Sequence, residues 1–317
     1  MSDYYTRLYQ DGDEEKITEL LSEVFETAYT IQEWIWKYKN NPSSKDNVIC
    51  LAFTNDHELI GHFAGQAHFL NILGKTKKVI NCVDGAIKPS YQKSDIFPAV
   101  NALFRQVLSN SSTIKTSLTV PGDESFPYIL RLGTNLFLMK RYILETKELV
   151  TIDPSNFKHT HTDFVDPRIN KLWQSVAEKE ILSFKRDQKY LQWRFADHPK
   201  FKYKFHYLTD EDQLLSFAVI RESGDHVEIL EIMSVFNRSE LGREILKNII
   251  HTYQEKGFTS FKFIGHDLYY YDDVFSDFKV RNIFKNFVFS LSNHPDDEKI
   301  YENPTNWSLT LSTQDMN

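Results

Sequence analysis

The chain has 317 residues, of which 14% are aromatic and 26% charged, a composition that excludes a largely disordered protein. No apolar run reaches the roughly 18 residues that a membrane-spanning helix needs, and the polar N-terminus does not resemble a secretory signal. Lysine and arginine number 37 against 44 aspartates and glutamates, so the net charge of −7 argues against general nucleic-acid binding. We therefore expect a cytoplasmic protein whose two cysteines, Cys50 and Cys82, are buried free thiols.

The first half of the chain predicts alternating helices and strands. Apolar residues recur with helical spacing over Asp13–Tyr29, and Ile31–Tyr38 predicts a second, short helix. A turn region is expected at Leu70–Lys78, around Gly74. The remaining predicted elements are strands at Val48–Thr54, Leu59–Phe69 and Val79–Lys88, a helix at Ile96–Leu108, a strand at Ile114–Val120, a short helix at Phe126–Leu132 and a strand at Leu136–Leu144.

The second half predicts a shorter version of the same order. Helices are expected at Asn170–Glu180, Gln188–Phe195 and Leu241–Gln254, with a short one within Tyr271–Phe284. Strands are expected at Lys202–Thr209, Leu214–Arg221, Val227–Val235, Ser260–Gly265, Phe287–Leu291 and Asn306–Leu311. Both halves therefore predict a mixed α/β unit.

One seven-residue pattern occurs twice. Trp36–Pro42 and Trp193–Pro199 both read Trp, basic, aromatic, two variable residues, Asn or His, and Pro. A strand, a polar turn and a second strand follow each copy, which predicts a hairpin in both places. We infer two related lobes, 1–152 and 165–317, separated by a polar stretch that contains the run Lys158–Asp163.

The order of these elements resembles the GNAT superfamily of acyl-CoA N-acyltransferases. Val83–Gln92 is similar to the family's central strand and the beginning of its acyl-CoA loop, and Pro121–Gly133 to the segment before its last strands. The two Trp motifs and Trp307–Thr310 resemble a two-lobed branch that is often associated with surface-polysaccharide biosynthesis. The resemblance implies an α/β fold (an α+β mixed sheet) with two GNAT-like lobes related by internal duplication.

The resemblance also implies that acetyl-CoA, or another acyl-CoA, binds the first lobe. Backbone N–H groups at a helix N-terminus suit a diphosphate, and the predicted helix begins near Ile96. Gln92 matches the family's loop pattern, whereas Asp95 and Phe97 stand where two small residues are usual. The second lobe, with Asn237–Gly242, lacks the pattern and is expected to be degenerate. The implied cofactor-binding residues are Gly85, Ala86, Ile87, Lys88, Gln92, Lys93, Ser94, Asp95, Ile96 and Phe97.

Amine acetylation needs a group that removes a proton from the amine and another that returns one to the leaving thiolate. Asp84, in an apolar strand beside the expected cofactor path, is the candidate base, and Tyr128 and Tyr91 are candidate acids. The candidate substrate-binding residues are Ser125, Trp36 and Arg194. Trp36 alternatively packs a short helix against the sheet, and Lys37 and Arg194 alternatively form structural ion pairs or line the cleft.

We do not predict a metal site, because His159, His161 and Asp163 lie in a polar stretch. The resemblance implies direct transfer of an acyl group, expected to be acetyl, from acyl-CoA to an amino sugar or another small amine. One alternative is a catalytically degenerate GNAT pair that binds a ligand or partner. Another is an aminoacyl-transfer relative that uses a charged tRNA, which the acidic net charge disfavours. No nucleic-acid or membrane partner is expected, and the oligomeric state is left open.

Overall fold

The structure is a computed structural model that describes residues 3–92, 94–114, 116–119, 136–145, 156–267, 269–278, 281–288, 300–301 and 303–310. The chain forms two compact units. The described part of the first unit is residues 3–69 and 78–119, and that of the second is residues 70–77, 136–288 and 300–310. Both units mix helices with strands, so the predicted α/β class is confirmed.

The first unit is built on strands that are neighbours in sequence. Its elements are β1 (Tyr4–Leu8), α1 (Glu14–Phe25), α2 (Ile31–Trp34), β2 (Val48–Thr54), β3 (Leu59–Ile72), β4 (Lys75–Ile87), α3 (Ile96–Asn110) and β5 (Ser117–Thr119). Strand β2 pairs antiparallel with β1 and with β3, β4 pairs with β3, and β5 lies parallel to β4.

The second unit repeats this pairing scheme. Its elements are β6 (Leu136–Glu145), β7 (Lys158–Thr162), α4 (Ile169–Ala177), β8 (Leu182–Phe184), α5 (Gln188–Leu191), β9 (Lys204–Asp210), β10 (Gln213–Ser223), β11 (His226–Ser234), α6 (Ser239–Glu255), β12 (Ser260–His266), α7 (Tyr270–Val274), β13 (Arg281–Val288) and β14 (Trp307–Thr310). Strand β9 pairs antiparallel with β7 and β10, β11 pairs antiparallel with β10, β12 is parallel to β11, and β6 lies between β12 and β13.

The two Trp motifs have the same local structure. In each unit a single α-helical turn, α2 or α5, continues into a π-helical turn, Ile35–Lys39 or Gln192–Ala196. The wider turns are closed by i to i+5 hydrogen bonds of 2.9 Å, from Asn40 N–H to Ile35 C=O in one unit and from Asp197 to Gln192 in the other. The repeated sequence pattern therefore corresponds to a repeated and uncommon backbone conformation.

Several predicted elements are corrected by the structure. The expected turn region Leu70–Lys78 is the tip of a long hairpin, because only Leu73 and Gly74 turn, both with positive φ. Most of the polar run Lys158–Asp163, for which no strand is predicted, forms β7. Strand β1 was not predicted, and the strand expected at Phe287–Leu291 begins earlier, at Arg281. The predicted helix Phe126–Leu132 lies outside the described residues.

Helix α3 packs closely on β3 in the core of the first unit. Two glycines of β3 permit this, because a Cβ at Gly61 would lie 2.7 Å from Ile96 Cγ2 and one at Gly65 would lie 2.6 Å from the Phe104 ring. The N-terminal half of α3 is therefore held directly beside the end of β4. Among the described residues, no helix is long and apolar enough to cross a membrane.

Candidate active site

Within the described residues, strand β4 has an open edge near its carboxyl end. Its pairing with β5 covers Ile80, Asn81 and Cys82, and among the described strands nothing continues this pairing. Asp84 then adopts a left-handed conformation, with a φ of 50°, which bends the strand as a bulge does. Gly85, the next residue, is exposed. A strand edge of this kind offers backbone N–H and C=O groups to an extended, amide-bearing ligand.

The Asp84 carboxylate is bound on both oxygens inside the core. Lys37 Nζ donates to Oδ1 over 2.8 Å, and the Tyr38 hydroxyl donates to Oδ2 over 2.5 Å. The side chains of Lys37 and Asp84 are each only 2% exposed. The predicted structural ion pair of Lys37 is thus confirmed, and Asp84 has two partners that a free general base does not have.

His62 completes this cluster from β3. Its Nδ1 lies 2.7 Å from the backbone carbonyl oxygen of Asp84, so the imidazole supports the bend in β4. Burial, opposed in part by this hydrogen bond, lowers the pKa of His62 to about 4. A neutral imidazole is the form that suits this place, because the Lys37 ammonium is already close by.

The connection from β4 to α3 uses several of its own amides. Lys88 N–H donates to Ile60 C=O, Tyr91 N–H to Lys88 C=O, and Ser94 N–H to Tyr91 C=O, over 2.8–3.0 Å. Asp95 precedes α3 without capping it. Burial and then a hydrogen bond with Asp95 raise the pKa of Tyr4.

Phe97 stands beside the open edge of β4. Its ring meets that of Phe63 edge to face, with centroids 5.7 Å apart. A Cβ on Gly85 would lie 3.6 Å from the same ring. The Phe97 side chain therefore forms an apolar wall next to the residues that were predicted to bind acyl-CoA.

The other predicted site residues are distributed as follows. Tyr91 is half-buried beneath α3, and Lys88 forms an ion pair of 2.5 Å with Glu58. Trp36 is buried in the first π turn and Arg194 in the second unit, in the second π turn. Gly85, Ala86, Ile87, Gln92, Ser94, Asp95, Ile96 and Phe97 follow one another along β4 and its connection to α3, whereas Lys93, Ser125 and Tyr128 lie outside the described residues.

The second unit has a polar cavity at the corresponding place, where β11 leads into α6. Its volume is about 300 Å³, and Asn237 and Ser239 of the connection line it together with Glu180 and Asp267. Strand β12 leaves β11 after Phe263, and its last residues pair with β14 instead. In the second unit β14 therefore pairs with the end of β12 that has left β11, and Thr310 of β14 donates to Glu231 of β11.

A buried charge network, which no sequence pattern predicts, lies behind this cavity. Arg186 binds Glu180 over 2.5 Å and Glu231 over 3.0 Å, and all three side chains are at most 5% exposed. Burial raises the pKa of Glu180, and Arg186 opposes this shift. Ser308 and Thr310 of β14 donate to the same carboxylates over 2.9 and 2.7 Å. These two hydrogen bonds hold β14 against the charge network.

No family model matches the sequence, and the curated proteins include no match. Solved structures do match. A probable N-acyltransferase from Enterococcus faecalis V583 has a TM-score of 0.73 at 14% identity, covering 91% of this chain and 72% of its own. A GCN5-related N-acetyltransferase from Anabaena variabilis ATCC 29413 has a TM-score of 0.69 at 10% identity, covering 91% and 72%.

A third similar structure is the Saccharomyces cerevisiae N-myristoyltransferase with bound myristoyl-CoA. Its TM-score is 0.61 at 8% identity, covering 93% of this chain and 80% of its own. At these identities the likeness establishes the fold. The chain has the fold of GNAT acyltransferases over nearly its whole length.

Proposed function

We propose that this protein is an acyl-CoA-dependent acyltransferase whose acyl-CoA lies along the open edge of β4. The observation that carries the proposal is the bend at Asp84 followed by the exposed Gly85, directly before the connection to α3. Pantetheine contains two amides, which can pair with a strand edge as a peptide does. The likeness to N-acyltransferases and to an N-myristoyltransferase that holds myristoyl-CoA supports the same substrate class.

The proposed reaction is direct attack of an amine on the thioester carbonyl. The amine nitrogen forms the new C–N bond, the C–S bond breaks, and the proton lost by the amine balances the thiolate that leaves. We propose a small amine as the acceptor, and amino sugars are the first acceptors to test. Asp84 is better suited to hold the bend of β4 than to act as base, because Lys37 and Tyr38 occupy its oxygens. Tyr91 and Tyr128 stay proposed acids.

Calorimetric titration with acetyl-CoA tests where the substrate binds. Asp95→Asn removes a negative charge beside the expected diphosphate. We therefore expect about threefold to tenfold tighter binding, the effect of one partly screened charge a few ångströms away. Asp212→Asn, in the exposed turn between β9 and β10, is the control with the same charge change in the second unit, and no effect is expected.

Turnover is measured as free thiol released when glucosamine or another small amine is added. Cys50 is buried and burial raises its pKa to about 12, as it does that of Cys82, so the protein's own thiols should contribute little. Absence of binding at millimolar acetyl-CoA would contradict the proposal. The proposed location of acetyl-CoA would be contradicted if Asp212→Asn changed the affinity and Asp95→Asn did not.

A degenerate, ligand-binding pair is the second candidate function. It is favoured by the amides of Tyr91 and Ser94, which donate within the connection, and by Asp95 and Phe97, which replace small residues. Acetyl-CoA binding without thiol release for any amine would support this alternative.

A further inference from the structure

The first unit contains a cavity of its own, which residues of β1, β2 and α3 help to line. Its volume is about 460 Å³, within the range of small-molecule sites. None of the described residues that line it belongs to β4 or to the connection from β4 to α3. The cavity is therefore separate from the proposed acyl-CoA path.

Most of the wall of this cavity is apolar. Trp34 and Tyr38 line it with rings whose centroids are 5.4 Å apart. The indole nitrogen of Trp34 is buried, so the Trp34 ring offers a ligand only apolar contact. Four aliphatic side chains also line the cavity, and three of them are at least partly exposed: Leu8, Val48 and Val107, with Ile49 buried beside them. These walls suit the hydrocarbon part of a ligand.

Two of the three charged groups in the lining bind each other. Asp11 and Lys39 form an ion pair of 3.0 Å, and the Tyr9 hydroxyl donates to Asp11 over 2.8 Å. Glu14, which lies outside the lining, binds the same ammonium over 2.9 Å. Lys39 also lies over the rings of Tyr9 and Trp34, 5.7 and 5.6 Å from their centroids. Asp11 and Lys39 therefore balance each other within the lining, and neither is free to bind a ligand.

Lys45 is the third charged group, and it has no ionic partner among the residues that the structure describes. Its neighbour Asp46 does not supply one, because that carboxylate binds Lys78 over 2.6 Å. Ser44, which precedes Lys45 and also lines the cavity, has a hydroxyl without a partner in the same part of the chain. Lys45 is exposed and Ser44 partly exposed, so a ligand in the cavity can reach both donors.

We propose that this cavity binds a small amphipathic carboxylate, with its hydrocarbon part against the apolar walls and its carboxylate on Lys45 and Ser44. The apolar contact supplies most of the affinity. The ammonium and the hydroxyl select the charge, because a carboxylate accepts from both donors whereas a cationic ligand meets the like charge of Lys45. Since Lys45 is exposed, this selection amounts to a few-fold rather than a hundredfold.

Three probes of one shape test the charge: 4-phenylbutyrate, the uncharged 4-phenylbutanol and the cationic 4-phenylbutylamine. The five tryptophans are replaced by 5-fluorotryptophan and followed by ¹⁹F NMR, and Trp34→Phe identifies the Trp34 resonance. We expect 4-phenylbutyrate to shift that resonance saturably, with a dissociation constant on the order of a millimolar or below. The alcohol should bind about threefold more weakly, and the amine about tenfold more weakly.

Lys45→Met tests the head-group contact at an exposed position, where folding should not be affected. In this variant the carboxylate should bind no more tightly than the alcohol. Lys75→Met, an equal charge change at an exposed position outside the lining, should leave the preference intact.

Two substitutions of Val107 test the location. Val107 is half-buried on α3, so Val107→Trp can fill the cavity from the helix, whereas Val107→Ala leaves it open. Binding should be lost in the first variant and kept in the second. The proposal is overturned if several millimolar 4-phenylbutyrate causes no saturable shift at Trp34, if the alcohol or the amine binds as tightly, or if Lys45→Met keeps the preference. Failure of acetyl-CoA to bind would not affect these outcomes, because the two sites share no residue.

Discussion

The buried pair of Lys37 and Asp84 allows the structural and catalytic roles of Asp84 to be separated. Lys37→Met leaves a carboxylate in the core without its counter-ion, and Asp84→Asn leaves the ammonium in the same position. With both side chains 2% exposed, each single change should cost about 3–5 kcal/mol of unfolding free energy. In Lys37→Met/Asp84→Asn both charges are gone, and the new amide oxygen can still accept from the Tyr38 hydroxyl. We expect the double variant to recover about 3 kcal/mol or more of the summed loss.

Urea unfolding measures these free energies. Two of the five tryptophans, Trp34 and Trp36, belong to the first unit. When the tryptophans are replaced by 5-fluorotryptophan, the ¹⁹F NMR signals of these two residues report the unfolding of that unit. Single variants that each lose less than about 1 kcal/mol, or losses that simply add, would refute the reasoning, because the two groups would then not be coupled.

Turnover of the same variants assigns the role. If Asp84 holds the bend in β4, the folded double variant should stay within a few-fold of the parent. If Asp84 is the base, turnover should fall by about 10²-fold or more, although the double variant is folded and binds acetyl-CoA.

Three further results are expected. Phe97→Ala should tighten acetyl-CoA binding a few-fold in calorimetry, because the ring occupies space beside the open edge of β4; unchanged or weaker binding would contradict this. Burial lowers the pKa of His159 to about 4 and that of His206 well below its usual value, so folding favours the neutral rings. Stability should therefore be full above about pH 6.5 and fall toward pH 4 by up to roughly 1.4 kcal/mol per pH unit for each ring; a slope unchanged by His159→Gln would count against it. Gly65→Ala should cost about 1–3 kcal/mol in thermal unfolding, since its Cβ would lie 2.4 Å from a core side chain, whereas Gly85→Ala meets only contacts of 3.5 Å or more and should be tolerated.

Elements with regular apolar spacing could be predicted from the sequence. Helix α3, predicted at Ile96–Leu108, is found at Ile96–Asn110, and β2 has the predicted bounds Val48–Thr54. Strands β1 and β7 were missed because neither shows an alternation of apolar and polar residues. Their place is decided by pairing with β2 and β9, which is a tertiary effect.

The arrangement of the candidate site could also be predicted only in part. The resemblance to GNAT proteins, which rests on the order of local motifs, indicated the segment from Asp84 to Phe97, and its role stays a prediction. It did not predict that Lys37 and Tyr38, far away in sequence, would occupy the Asp84 carboxylate. The network of Arg186, Glu180 and β14 was missed for the same reason, since its members come from distant segments.

The matching π-helical turns at Ile35–Lys39 and Gln192–Ala196 bear on how the two units arose. A π turn holds one residue more than an α turn, so each behaves as a single-residue insertion in a helix. If each unit had gained its extra residue separately, the same rare insertion would have occurred twice, at matching places. Duplication of an ancestral unit that already had the extra residue requires the insertion once. If the two units arose in that way, the widened turn is older than the two-unit chain.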